Sequence, residues 1–124
     1  MSGQAIIWVA FGGALGAVAR YATGLLLKTT SGFPWATLSV NIFGSLLMGV
    51  MIGWLSRQST PNEALRLFLA VGILGGFTTF STFSMDLFQL IEKRDMAAMA
   101  LYLGGSLFGG VAAFILGFMA LRAG

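Results

Sequence analysis

The sequence contains no cysteine and no histidine. The first absence excludes disulfides and thiolate chemistry. The second removes the usual imidazole base and metal ligand. Charge is scarce too: 9% of the 124 residues are Asp, Glu, Lys or Arg, where a soluble domain has about a quarter. No nucleophile–base set stands out, so an enzyme is not expected. The net charge of +3 comes from residues at segment ends and suits anionic headgroups. It forms no basic stripe interleaved with aromatics, so nucleic acid is not an expected partner. Met1–Gln4 lacks the basic start of a signal peptide, so the first apolar segment is expected to be retained.

What remains is apolar: 57% of residues are hydrophobic and the mean hydropathy is +0.90. The few charges sit at the ends of long neutral runs. None lies before Arg20, between Lys28 and Arg57, between Arg66 and Asp86, or between Asp95 and Arg122. Each gap holds about the 20 residues needed to cross roughly 30 Å of hydrocarbon. The chain is expected to be an all-α membrane protein of four transmembrane helices, with residues 1–124 forming a single domain.

Helix 1 is expected over about residues 4–27, with a loop at 28–32. Pro34 suits the first turn of helix 2, between interfacial Phe33 and Trp35. That helix runs to about Ser56, and a polar connection, residues 57–62, follows with Pro61 at a helix start. Helix 3 spans about residues 63–91, a charged turn occupies 92–95, and helix 4 runs from about Met96 to Leu121.

Helix 3 carries the most informative run, Gly75-Gly76-Phe77-Thr78-Thr79-Phe80-Ser81-Thr82-Phe83-Ser84. Adjacent glycines release the backbone from regular helix. Irregular polar backbone at membrane depth survives only when packed in protein or lining a wet cavity. A break near residues 75–79 is therefore expected, and with it an ion or solute site. Phe80 and Phe83 are i, i+3 and share a side, with Thr82 nearby. Ring edges turned inward suit an anion and ring faces a cation, and spacing does not choose between them.

Other helices add polar groups. Thr37, Asn41 and Ser45 form an i, i+4, i+8 stripe on helix 2. Tyr102 and Ser106 are one turn apart on helix 4, followed by Gly110. Both sets serve equally as inter-helix hydrogen bonds or as donors to an anion. Arg20 lies roughly 12 Å inside the helix 1 end at 1.5 Å per residue, and Asp86 lies at similar depth. Buried charges are costly and usually paired or functional. The two either pair with each other or Arg20 attracts an anion.

Glycine pairs spaced i, i+4 recur at Gly12 and Gly16, Gly49 and Gly53, Gly72 and Gly76, and Gly105 and Gly109. Small faces let membrane helices approach closely. Tight packing accounts for every pair except the one beside the break. With the deeper Arg20 left out, the basic residues divide evenly across the bilayer: Arg57, Arg66 and Arg122 on one face, and Lys28, Lys93 and Arg94 on the other. Lys and Arg in short loops set orientation. The balance favours insertion both ways up and an antiparallel homodimer; the alternative is one orientation fixed by a weak bias.

Together these residues resemble the Fluc/CrcB family of fluoride channels. The matching pieces are Gly12-Gly13-Ala14-Leu15-Gly16-Ala17-Val18-Ala19-Arg20-Tyr21, Asn41-Ile42-Phe43-Gly44-Ser45, and Gly72-Ile73-Leu74 running into the glycine–phenylalanine segment through Phe83. Helix 4 matches only through Tyr102 and Ser106. The resemblance implies a dual-topology homodimer in the inner membrane, with two antiparallel pores exporting fluoride passively and so giving a microbe fluoride resistance. It implies that Phe80 and Phe83 form a phenylalanine box, that Asn41 lines the pore with Thr37, Thr82, Tyr102 and Ser106, and that Arg20 sits in a vestibule. It also implies a structural sodium ion at the dimer interface, held by the Gly75 and Thr78 carbonyls of both subunits. Two other readings stand beside it. A small proton-coupled multidrug-type transporter needs a membrane-embedded carboxylate in helix 1, which has none. A non-conducting structural protein explains the glycines but not the helix 3 break.

Overall fold

In a computed structural model, residues 3–27, 33–59, 62–78 and 80–123 are described. Among them every regular element is helical. The elements are α1 (Gly3–Leu26), α2 (Trp35–Ser56), α3 (Glu63–Arg66), a wide π-type stretch (Leu67–Leu74), α4 (Gly75–Phe77), α5 (Phe80–Glu92), α6 (Met96–Gly104), a second π-type stretch (Gly105–Gly109) and α7 (Gly110–Ala123). They group into four stretches long and apolar enough to cross a membrane, Gly3–Leu26, Trp35–Ser56, Glu63–Glu92 and Met96–Leu121. The protein is a multi-pass membrane protein, and each charge gap of the sequence falls on one of these spans, the first and third of which also carry Arg20 and Asp86.

Chain ends of the spans follow local chemistry. Pro34 is not in the first turn of α2 but caps it, with φ −80° and ψ 67°. Pro61 and the 28–32 loop lie outside the described residues. Asn62 starts the third span: its side chain accepts from the Leu65 N–H at 3.1 Å. Asp95 does the same for the fourth, accepting from Ala98 N–H at 3.1 Å. Between α5 and α6, Asp95 N–H reaches the Leu90 carbonyl and Arg94 N–H the Ile91 carbonyl, at 3.2 and 3.0 Å. This paired closure needs a left-handed residue, and Arg94 takes that role with φ 58°.

Glycine sets the packing. A Cβ on Gly16 would come within 2.8 Å of the Phe77 backbone nitrogen, and one on Gly12 within 2.9 Å of the Gly72 Cα. From the other side, a Cβ on Gly76 would lie 2.6 Å from the Gly13 carbonyl oxygen. The first span and the first half of the third therefore touch backbone to backbone. Trp8 and Phe68 close one end of this seam edge to face, centroids 5.8 Å apart. The Gly72 and Gly76 pair beside the expected break is thus a packing pair like the others, which corrects its exemption. A second seam joins α2 to α7: a Cβ on Gly53 would stand 2.6 Å from the Phe118 carbonyl, and one on Gly117 2.5 Å from that of Leu46. The Gly105 and Gly109 pair is looser, facing only the side-chain tips of Leu38 and Ile42.

The backbone near residues 75–79 departs from helix later than the glycines suggest. Gly75 is helical, with φ −63° and ψ −39°. Thr78 N–H still reaches the Leu74 carbonyl at 3.1 Å. The departure is at Thr78 itself, extended at φ −100° and ψ 146°. Thr79 lies outside the described residues, and α5 begins at Phe80. Of the two glycines, Gly76 serves close approach to α1; the turn outward falls on a β-branched residue with good extended propensity.

Candidate ion-path residues and the family they identify

Asn41 sits mid-way along α2, half-buried, with Gly44 and Ser45 on the following turn. Its Nδ2 donates to Ser106 Oγ at 3.1 Å. Ser106 is only 9% exposed and lies in the wide turn after α6. The hydroxyl that accepts from Asn41 keeps its own proton to donate elsewhere, so the pair is a short chain of donors. Both residues line a groove of about 710 Å³, which also holds Ser45, Thr78, Phe80 and Phe83.

Phe80 and Phe83 are neighbours there, ring centroids 5.8 Å apart and tilted by 46°. Their surroundings differ. Phe80 is 77% exposed at the start of α5. Phe83 stacks on Tyr102, centroids 5.1 Å apart and tilted by 38°. Tyr102 is fully buried and lies behind Phe83, lining neither this groove nor the smaller cavity below. Its hydroxyl donates to Asp86 Oδ2 at 3.2 Å and is hydrogen-bonded to Thr37. Phe33 meets the same ring edge to face, centroids 5.9 Å apart. Tyr102 thus ties α2, α5 and α6 together.

A second cavity, about 330 Å³, holds Arg20, Thr37 and Thr82 with Tyr21 and Gly24. The candidate residues fall into two groups: Asn41, Ser106, Phe80 and Phe83 on the groove, Arg20, Thr37 and Thr82 on the smaller cavity. Thr37 and Asn41 are one helical turn apart on α2, and Thr82 and Phe83 are adjacent on α5. The two cavities are lined by different residues, but α2 and α5 contribute to both.

The two deep charges do not pair with each other among the described residues. Arg20 Nε donates to the Gly76 carbonyl at 3.3 Å, and Asp86 receives Tyr102. Arg66 instead pairs with Glu63 on the surface of α3. Ser84 also lines the groove. Its signal was its position one turn after Phe80. Among the described residues no cluster of His, Cys, Asp or Glu is able to hold a metal. Oxygen ligands for an ion would have to come from the backbone or from hydroxyls.

Comparison with known proteins places this arrangement. A "Fluoride-specific ion channel FluC" of Novosphingobium aromaticivorans is 47% identical over 122 residues, covering 95% of this chain and 96% of that one. A protein of the same name from Nitrobacter winogradskyi is 49% identical over 119 residues, covering 94% of each. One from Sphingopyxis alaskensis is 48% identical over 116 residues, covering 92% of each. The family model described as "CrcB-like protein, Camphor Resistance (CrcB)" matches residues 7–118, nearly the whole of the four spans and the groove between them, and the chain belongs to that family.

Proposed function

We propose that this protein is a passive, fluoride-selective ion channel of a microbial inner membrane, not an enzyme. The observation that carries the reading is the groove, in which an amide donor, a buried hydroxyl and two phenyl rings converge within four apolar spans. Moving an unpaired ion into an apolar medium costs tens of kcal/mol in the idealised limit. A row of donors, each contributing about 1.5–3 kcal/mol to a charged partner, together with retained water, offsets that cost. The Asn41–Ser106 chain and the ring edges of Phe80 and Phe83 supply such a row. The chemistry named for the relatives above agrees with it.

The working unit we propose is an antiparallel homodimer with two pores. The even charge division supports two insertion directions. Phe80, Phe43 and Phe108 are all more than half exposed, which suits lipid or a second copy. Within that unit the third span departs from helix at Thr78. The residues there suit a structural sodium ion. Thr78 is turned out of the helix and Gly75 is exposed, with no atom nearer to its Cβ direction than the Ala70 carbonyl at 3.8 Å. Their carbonyls are hard oxygen ligands of the kind an alkali cation takes. A sodium ion held there would offset the partial negative charge of the helix end.

The test is efflux from liposomes containing this protein alone. Fluoride should leave, and chloride should stay. Equal loss of both, or of neither, overturns the proposal. Orientation is tested separately, by fusing to Gly124 a reporter active only in the cytoplasm and another active only outside it. Activity from both is expected; activity from one alone removes the dual topology.

A further inference from the structure

The seam between the first and third spans ends in a way the sequence pattern does not reveal. Gly12, Gly16 and Arg20 are successive positions i, i+4 and i+8 on one stripe of α1. The two glycines meet Gly72, Ile73 and Phe77 backbone to backbone. One turn further on, the facing helix has ended at Phe77 and the chain leaves through extended Thr78. The stripe answers by changing from the smallest side chain to one of the longest. Arg20 reaches into the opening and donates from Nε to the Gly76 carbonyl at 3.3 Å.

That carbonyl has a reason to need a partner. Gly76 is one of the last residues of its helix, and the last four carbonyls of a helix lack intrahelical donors. Leu74 O is served by the Thr78 N–H and hydroxyl, at 3.1 and 3.0 Å. Gly76 O is served by a cation, which also opposes the negative end of the helix. Arginine suits both tasks at once. Its guanidinium has five donors, and Nε takes only one of them. The rest of the group stays available to the cavity it lines with Thr37 and Thr82.

We infer that Arg20 is a positioning residue: by holding the Gly76 carbonyl it fixes where the third span leaves its helix, and so sets Thr78 and the start of α5 against the groove. A vestibule charge alone would only concentrate anions near the cavity. The cap instead governs the geometry of the path. The two roles separate in measurement. Concentrating anions changes the half-saturating fluoride concentration and fades with added salt. Positioning changes the maximal flux and does not respond to salt.

The experiment compares Arg20→Lys, Arg20→Gln and Arg20→Met with the parent in lipid. Backbone hydrogen exchange over residues 74–84 is one readout. Fluoride flux against fluoride concentration, at low and high background salt, is the other. Arg20→Met should speed exchange in that segment by about tenfold or more, the scale of one lost hydrogen bond to a charged group. Its maximal flux should fall at both salt levels, and Arg20→Lys should restore most of the exchange protection. Should Arg20→Met fail to fold, Arg20→Gln, which keeps a donor and loses the charge, carries the same comparison. Parental exchange and parental maximal flux, with only a salt-sensitive rise in half-saturation, would overturn the cap. The flux arm rests on the fluoride reading; the exchange arm does not, so failure of one is distinguishable from failure of the other.

Discussion

The third span is two different structures. Its first half, residues 63–77, is welded to α1 along glycines, with Ala70, Gly72 and Leu74 buried. Its second half, α5, packs thinly, mostly on α6, and Leu90 alone is buried among its described side chains. From Leu67 to Leu74 the first half is apolar all round; the second is strongly two-faced, with Phe80, Met85 and Phe88 exposed. One half spends its surface on holding the fold. The other leaves phenyl rings and hydroxyls free for something beyond this chain's own core. Damage to the first half should therefore appear as loss of the protein, and damage around the second as loss of transport.

Gly16→Leu should show the first part of that rule most severely. Even a Cβ there meets the Phe77 nitrogen at 2.8 Å, and backbone cannot step aside. We expect no monodisperse peak in detergent and no flux. Gly13→Ala, one turn position away with nothing within 4 Å of the added carbon, should match the parent in melting temperature. Equal behaviour of the two variants would dissolve the seam.

Asn41→Asp should be next. It replaces two donors by an acceptor that repels an anion when ionised. Flux should fall by about a hundredfold, the scale of a lost charged hydrogen bond, while elution position stays that of the parent. Loss of the assembled particle instead would make Asn41 a packing residue through its bond to Ser106.

Phe80→Ile and Phe83→Ile sharpen the comparison within α5. Each removes an electropositive ring edge, and each should lower flux by about two- to tenfold. Their stabilities should part company. Phe83 stacks on buried Tyr102, so its loss should lower the melting temperature; Phe80 is largely exposed in the single chain, so its loss should not. A stability loss for Phe80→Ile would point to contacts made by a second copy.

Arg94→Gly should have the smallest effect, and of opposite sign. Left-handed backbone costs a non-glycine residue about 1–2 kcal/mol, and glycine is free of it. Thermal unfolding should show a gain of about 1 kcal/mol or less, located at the far end of α5. A loss would mean that the arginine side chain, not the turn, holds that end.

Four spans were legible because charge avoids hydrocarbon, and a charge-free run is its trace. The caps went unread, although the residue types were there: Asn62 and Asp95 stand immediately before Glu63 and Met96, where a side-chain acceptor belongs. The wide turns at Leu67–Leu74 and Gly105–Gly109 were not legible. A shift from i+4 to i+5 bonding leaves no periodic mark in a segment that is apolar throughout. The break was expected near residues 75–79, and the departure from helix falls inside that range, at Thr78 and not at the glycines: Gly75 is helical, and Gly76 marks close approach to α1. Arg20 was matched with Asp86 or with an anion. Its partner is a carbonyl, and backbone acceptors are invisible in a list of side chains. The sharing of one groove by Asn41, Ser106, Phe80 and Phe83 was within reach of spacing and resemblance, since the resemblance implies one path for all four.

The glycine seams have a consequence for insulation. A channel must refuse ions everywhere except along its path, and a leak between helices would short-circuit the gradient the cell maintains. Where Gly12 and Gly16 meet Gly72 and Phe77, and where Gly53 meets Phe118, no gap wide enough for water or an ion remains. The oxygens that face across those contacts are carbonyls, whose partial negative charge is hostile to anions. The contacts most sensitive to an added methyl group are thus also the dielectric walls of the membrane protein, and selectivity begins with what they keep shut.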